Sequence, residues 1–194
     1  MEGPPQVLVV PYRVTADQDF EFLTGQKTRS LFKGKRVFPG GKLTGNLSAN
    51  DSETFAQAAK RELLEETGQT ADYFESVGRL LISLEGDNTI QQVEIMATDL
   101  TNHTDIAPQL PKDMELENIT WSTLDSLAAG DLPADYLFWL PMVAAGLGHR
   151  SEEGKIPLQF QSYVLKRLSG IAFIASEVEI LGKKHKIDAI PFAY

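Results

Sequence analysis

The sequence predicts an α+β domain in which a mixed β-sheet lies between helices, and three observations carry that expectation. Apolar, β-branched runs separated by turn residues open the chain. One amphipathic helical pattern begins near residue 53. Further strands and a second helical pattern follow it.

Gln6 to Val14 (QVLVVPYRV) has the pattern of a buried strand, and Phe20 to Thr24 is its partner across the polar hairpin TADQD. Lys27 to Arg36 gathers five basic residues around Leu31 and Phe32, either as a solvated loop or as a phosphate-holding one. Val37-Phe38-Pro39-Gly40-Gly41-Lys42 passes from strand to turn, and Leu43 to Ser52 is a polar, exposed loop. From Glu53 onward Phe55, Ala59 and Leu63 recur at helical spacing, with Ala56 and Leu64 on the adjoining flank. Asp51 or Ser52 is expected to cap that helix, and Gly68 to end it in a left-handed conformation. Tyr73 to Leu84 and Ile90 to Leu100 are expected strands around a Glu85-Gly86-Asp87-Asn88 turn. Asn118 to Trp121 is a short strand and Thr123 to Ala129 a short helix. Asp135 to Leu147 is a longer helix, in which Pro141 marks a kink or a start. Residues 156 to 181 supply two or three strands, or a strand and a helix. The polar stretch RSEEGK divides a domain over 1–150 from an extension over 151–194, which is expected to pack on the same domain.

Composition narrows the function. The chain has 194 residues, enough for one domain with elaborations, and 42% are hydrophobic, enough for a sizeable core. Without a cysteine it has no disulfide, thiolate zinc site or thiol nucleophile. A net charge of −9 does not attract a polyanionic duplex, so nucleic-acid binding is disfavoured. No apolar run reaches the ~20 residues of a membrane span, and the N-terminus lacks the basic start of a signal peptide. A cytoplasmic protein acting on a small molecule, as a monomer or homodimer, is the expectation.

The chemistry is concentrated in the first helix. Glu62, Glu65 and Glu66 share one face within a turn, and such like charges repel unless cations lie among them. Carboxylate oxygens suit Mg²⁺ or Mn²⁺, which can bridge a pyrophosphate and acidify an attacking water. A merely solvated acidic face is the alternative. Against it stand Arg61 directly before the cluster, Gly68 after it, Glu53 upstream and the Gly40-Gly41 turn that introduces the segment.

Gly41, Glu53 and the run Arg61-Glu62-Leu63-Leu64-Glu65-Glu66-Thr67-Gly68 resemble the Nudix box, Gly-x5-Glu-x7-Arg-Glu-U-x-Glu-Glu-x-Gly-U, with U aliphatic. The resemblance implies a Nudix-type α/β/α sandwich over about residues 6 to 148 and a pyrophosphohydrolase acting on a nucleoside diphosphate linked to another group. It implies Glu62, Glu65 and Glu66 as ligands of Mg²⁺, Arg61 as the residue holding them in place, and Gly41 as the point where loop and metal site approach. Two positions depart from the pattern. Eleven residues separate Gly41 from Glu53 instead of five, and Gln69 stands where an aliphatic residue belongs. An acid from outside the box is expected to assist, Glu117 ranked ahead of Glu115.

The segments Glu117 to Asp125 and Leu132 to Pro141 are similar to those of MutT-type nucleoside triphosphatases that act on oxidised purine nucleotides. That likeness implies Asp135 as reader of the base edge and Tyr136 or Phe138 as stacking partners. Val37 stands where that group has an asparagine that reads the base, which leaves a different purine, a pyrimidine or a nucleotide sugar open. Lys33 and Arg36, with Lys27, Arg29 and Lys35, are the cations expected to hold phosphate. ADP-ribose or nucleotide-sugar hydrolysis, and a silent nucleotide sensor, are the alternatives.

Overall fold

A computed structural model describes residues 3–29, 32–45, 52–84, 89–103, 115–133, 135–149, 158–167, 170–180 and 183–188. β1 (Gln6–Val14) and β2 (Phe20–Lys27) pair antiparallel, Tyr12 opposite Phe22, as their hairpin predicts. β3 (Arg36–Val37) and β4 (Gly40–Lys42) precede α1 (Phe55–Thr67). β5 (Glu75–Leu84), β6 (Ile90–Asp99) and β7 (Leu116–Thr123) follow, then α2 (Leu124–Ala128) and α3 (Tyr136–Gly148). β8 (Leu158–Arg167), β9 (Gly170–Ile180) and β10 (Lys183–Asp188) complete the order, so the region left open over 156 to 181 holds two strands, and a third follows it. The Glu85–Asn88 turn lies outside the described residues.

One mixed sheet runs β10-β9-β8-β5-β6-β1-β2-β3, with β4 paired to β1 and β7 to β2. β1 lies parallel to β6, and β8 parallel to β5, so the C-terminal strands continue the same sheet. Period-two alternation divides β1 between two cores. Val7 and Val9 pack with Ala58, Ala59 and Leu63 of α1 and with Met96. Leu8, Val10 and Tyr12 face the other way, towards Trp139, Leu140 and Val143 of α3 and towards Val93 and Ile95. A strand covered on both faces reads as a continuous apolar run, which is why β1 is so legible in sequence.

Three local expectations change. The cap of α1 is Thr54, not Asp51 or Ser52: its hydroxyl accepts from the Gln57 N–H while the Gln57 side chain accepts from the Thr54 N–H, a reciprocal capping box. Ala56 and Leu64 point to solvent, and Glu62 and Glu66 take the place expected for an apolar flank, buried towards the sheet. α3 also carries Pro141 in its interior, so of the two expectations there the start does not hold. Pro141 is exposed, so the Leu137 carbonyl that it leaves without a helical donor lies on the solvent side. Gly68 ends α1 at φ 72°, as expected, and its N–H donates to the Leu64 carbonyl.

Thr54→Ala removes the hydroxyl that accepts from the Gln57 N–H at the helix that carries the acids. It is expected to lower unfolding free energy by about 1 kcal/mol in urea denaturation, with Thr54→Ser close to the parent.

Candidate active site

Arg61 organises the acidic face of α1. Its Nε and Nη2 donate to the two Glu53 oxygens at 2.9 Å each, a bidentate pair. Nη1 donates to Glu62 Oε1 at 2.7 Å and to Glu65 Oε2 at 3.2 Å, and Nη2 also reaches the Lys42 carbonyl at 3.0 Å. One guanidinium therefore sets the rotamers of three carboxylates and ties the helix to β4. Glu53 serves here as the anchor of Arg61. The long spacer does not displace it, because the loop ends are pinned: Thr44 N and Oγ1 both donate to Glu53 Oε2, and Glu53 N donates to the Thr44 carbonyl. The middle of the insertion, residues 46–51, lies outside the described residues.

Glu66 is buried on the face turned towards β4. It accepts from the Gly40 N–H at 2.8 Å, with Lys27 Nζ 3.8 Å from its other oxygen. Gly41 passes so close to Glu62 that a Cβ there would overlap the carboxylate. Burial raises the Glu62 carboxyl above its ordinary range and pushes Glu66 up to about 7. The Arg61 hydrogen bonds instead hold Glu53 down at about 2.

Beside this face opens a cavity of about 770 Å³. Its acidic end is formed by Gly40, Gly41, Glu62, Lys27 and Glu115. Its other walls are apolar and aromatic, with Leu8, Phe32, Val37, Phe38, Leu80, Ile82 and Tyr136, and the buried Asp135 beside them. Phe38 stacks on Tyr136 at 5.6 Å and 27°, which makes that wall flat and rigid.

The structure thus gathers Glu62, Gly41, Val37, Asp135 and Tyr136 around one space, with Glu66 behind Gly40 and Lys27, while Glu65 stays at the exposed edge of Arg61. Other expected residues lie elsewhere. Glu117 is exposed on β7 opposite Gln26, and Glu115, just before that strand, lines the cavity. Phe138 sits two residues after Tyr136, about 200° round the helix, and packs on the core beside the cavity. Lys33 is exposed in a turn, and Arg36 turns to the Thr24 and Asn118 carbonyls, so Lys27 is the basic residue of that loop lining the cavity. Gln6 and Gln91 also line the walls. Alternation could have found them, since they share faces with Leu8 and Val93.

Among the described residues no three acidic or histidine side chains converge as a ready set of metal ligands. Glu62, Glu65 and Glu66, the acids of α1, are the residues that could hold a divalent ion. Two of them are buried carboxylates with raised proton affinity, and an added cation offsets that cost.

Residues 4–141 match the model of the NUDIX domain. The chain belongs to the Nudix family. This Nudix chain is 31% identical over 121 residues to the oxidized purine nucleoside triphosphate hydrolase of Mus musculus, covering 62% of this chain and 70% of that protein. Its fold is similar to that of a MutT protein from Bacillus halodurans, with a TM-score of 0.59 at 18% identity over 91% of this chain and 97% of the other. It is also similar to the Caenorhabditis elegans Ap4A hydrolase, with a TM-score of 0.58 at 23% identity over 75% and 98%. It is a pyrophosphohydrolase of nucleotide-like substrates. Among the described residues no helix is long and apolar enough to cross a membrane.

Glu66 gives metal-free protein a definite pH dependence. Its folded value of about 7 lies above its ordinary 4.5, so the folded state holds the extra proton between them. Stability therefore falls as pH rises from about 4.5 to about 7, by ~3 kcal/mol at about 1.4 kcal/mol per pH unit. Glu53 acts oppositely, and its contribution is lost as pH falls from about 4.5 through about 2. In chelator, Glu66→Gln is expected to be more stable than the parent at pH 8 and equal to it near pH 4.5. A difference that stays flat across that range would contradict the burial of a charged Glu66.

Proposed function

We propose that this protein hydrolyses a nucleoside triphosphate, with a modified purine base favoured, to the monophosphate and pyrophosphate. The observation that carries the reading is the continuity of one cavity, from the acidic face of α1 to a flat aromatic wall with a buried carboxylate beside it. The name of the mouse relative agrees with it.

The phosphate chain would lie at the acidic end. There Glu62, Glu65 and Glu66 would hold Mg²⁺, with Mn²⁺ as a substitute, and the bound ion would screen the phosphoanhydride and lower the pKa of the attacking water. Arg61 keeps the carboxylates of Glu62 and Glu65 in fixed rotamers, so little reorganisation is needed when substrate arrives. The Gly40 N–H fixes one Glu66 oxygen and leaves the other towards Lys27. Phe38 and Tyr136 offer a face for a heteroaromatic ring and exclude water from it. Asp135 accepts hydrogen bonds from the ring's N–H edge, and its burial makes a mismatched edge costly.

A panel of nucleoside triphosphates, ADP-ribose and nucleotide sugars with Mg²⁺, products separated, tests the reading. Turnover of a triphosphate to monophosphate and pyrophosphate is expected. Hydrolysis confined to ADP-ribose or nucleotide sugars, which the apolar Val37 would tolerate, sinks it. Glu66→Gln is expected to lower kcat by about 10² or more, whereas a nucleotide sensor would bind without turnover in either form. Asp135→Ala is expected to reduce kcat/KM for the preferred base by roughly 10²-fold and to narrow the discrimination between bases.

A further inference from the structure

At the acidic end of the cavity one carboxylate bridges two cations. Glu115 Oε2 lies 2.6 Å from Lys27 Nζ, and Glu115 Oε1 lies 3.0 Å from Arg29 Nη2. The bridge is built into the backbone as well: Thr28 N, between the two cations, donates to the Glu115 carbonyl at 2.9 Å, and its hydroxyl to the same oxygen at 3.1 Å. Lys27 is the inner cation, 3.8 Å from Glu66, and Arg29 is the outer one, more than half exposed. The Lys27 ammonium holds the Glu115 carboxyl below its ordinary range.

A carboxylate laid across two cations presents the same two-oxygen edge as a phosphate group. The cavity wall otherwise carries more acid than base: Glu62, Glu115 and Asp135 against Lys27 and Lys42. A polyanion therefore needs Lys27 and Arg29 more than any other groups at that end. While Glu115 occupies them, one of their two charges is offset and donors of both are engaged.

We propose that Lys27 and Arg29 form the clamp for the terminal phosphate of the substrate, and that Glu115 is an internal stand-in for that phosphate, displaced when it binds. The clamp makes Arg29 a specificity-determining residue. A phosphate held by both lies further from the acidic helix than one held by Lys27 alone, so chains of three or more phosphates use Arg29 and shorter ones do not. The same exchange sets Glu115 free only when a chain of sufficient charge has arrived. This inference rests on the triphosphate reading and names the residues that enforce it.

Titration calorimetry of the full chain with sodium tripolyphosphate and with pyrophosphate, in divalent-free buffer, tests the clamp. Arg29→Ala is expected to weaken tripolyphosphate binding about tenfold and pyrophosphate binding less than twofold, with Arg29→Lys recovering most of the loss. Glu115→Gln is expected to tighten tripolyphosphate binding several-fold, because a neutral amide competes less for the two cations. A purely structural bridge would give the opposite sign, both variants melting earlier and neither binding the polyanion better. Equal losses on both probes in Arg29→Ala, or unchanged or weaker binding in Glu115→Gln, overturns the clamp. If these shifts occur while only ADP-ribose is turned over, the clamp stands and the substrate reading fails. If triphosphates are turned over and Arg29→Ala changes nothing, the clamp alone fails.

Discussion

The guanidinium of Arg61 makes five hydrogen bonds, to Glu53, Glu62, Glu65 and the Lys42 carbonyl. Three carboxylates on neighbouring turns of one helix and its approach would otherwise repel one another. A planar cation with forked donors converts that repulsion into a fixed geometry, which an ammonium at the same place could not do in the same orientation. The rest of the site depends on it. β4 is held against α1 through the Lys42 carbonyl, and the inserted loop is tied back through Thr44 and Glu53. Glu62 is held where only a glycine can pass at position 41.

The sheet supplies what Arg61 cannot. β1 is buried on both faces, so α1 with its acids lies on one side of it and α3 with Tyr136 and Trp139 on the other. The cavity opens beside β4, where Gly40 and Gly41 pair with Leu8 and Val7 of β1, which brings the acidic helix and the aromatic wall to one space. The acidic groups and the aromatic wall thus come from opposite layers. That separation lets residues of the wall change without moving the carboxylates.

Acidic and basic groups alternate across the acidic end of the cavity. Arg61 stands among Glu53, Glu62 and Glu65, and Lys27 stands between Glu66 and Glu115. Glu66 is the least compensated of them, and burial pushes it up to about 7. Its carboxylate is therefore the group with most to gain from an added cation, which links the stability of the fold to the chemistry of the site.

Residues whose meaning is local were legible in the sequence. The strand β1, the span of α1, its left-handed end at Gly68 and the acids at Glu62, Glu65 and Glu66 all follow from spacing along the chain, because neighbours on a helix or strand are fixed by its period. The cap was misplaced by two or three residues because Asp51, Ser52 and Thr54 have equivalent side-chain chemistry, and only the bond to Gln57 distinguishes them. Which outside acid meets the helix was not legible. Glu115 and Glu117 are two residues apart, and the choice depends on where β7 starts against β2. Nor could spacing show that Lys27, of five basic residues, lines the cavity while Arg36 turns to backbone carbonyls. The sequence by itself therefore determined the carboxylate set and the helix that presents it, since one turn of helix brings them together. Only the tertiary structure decided which cations, aromatic faces and outside acid meet that set, because those contacts join strands far apart in the chain and depend on their register.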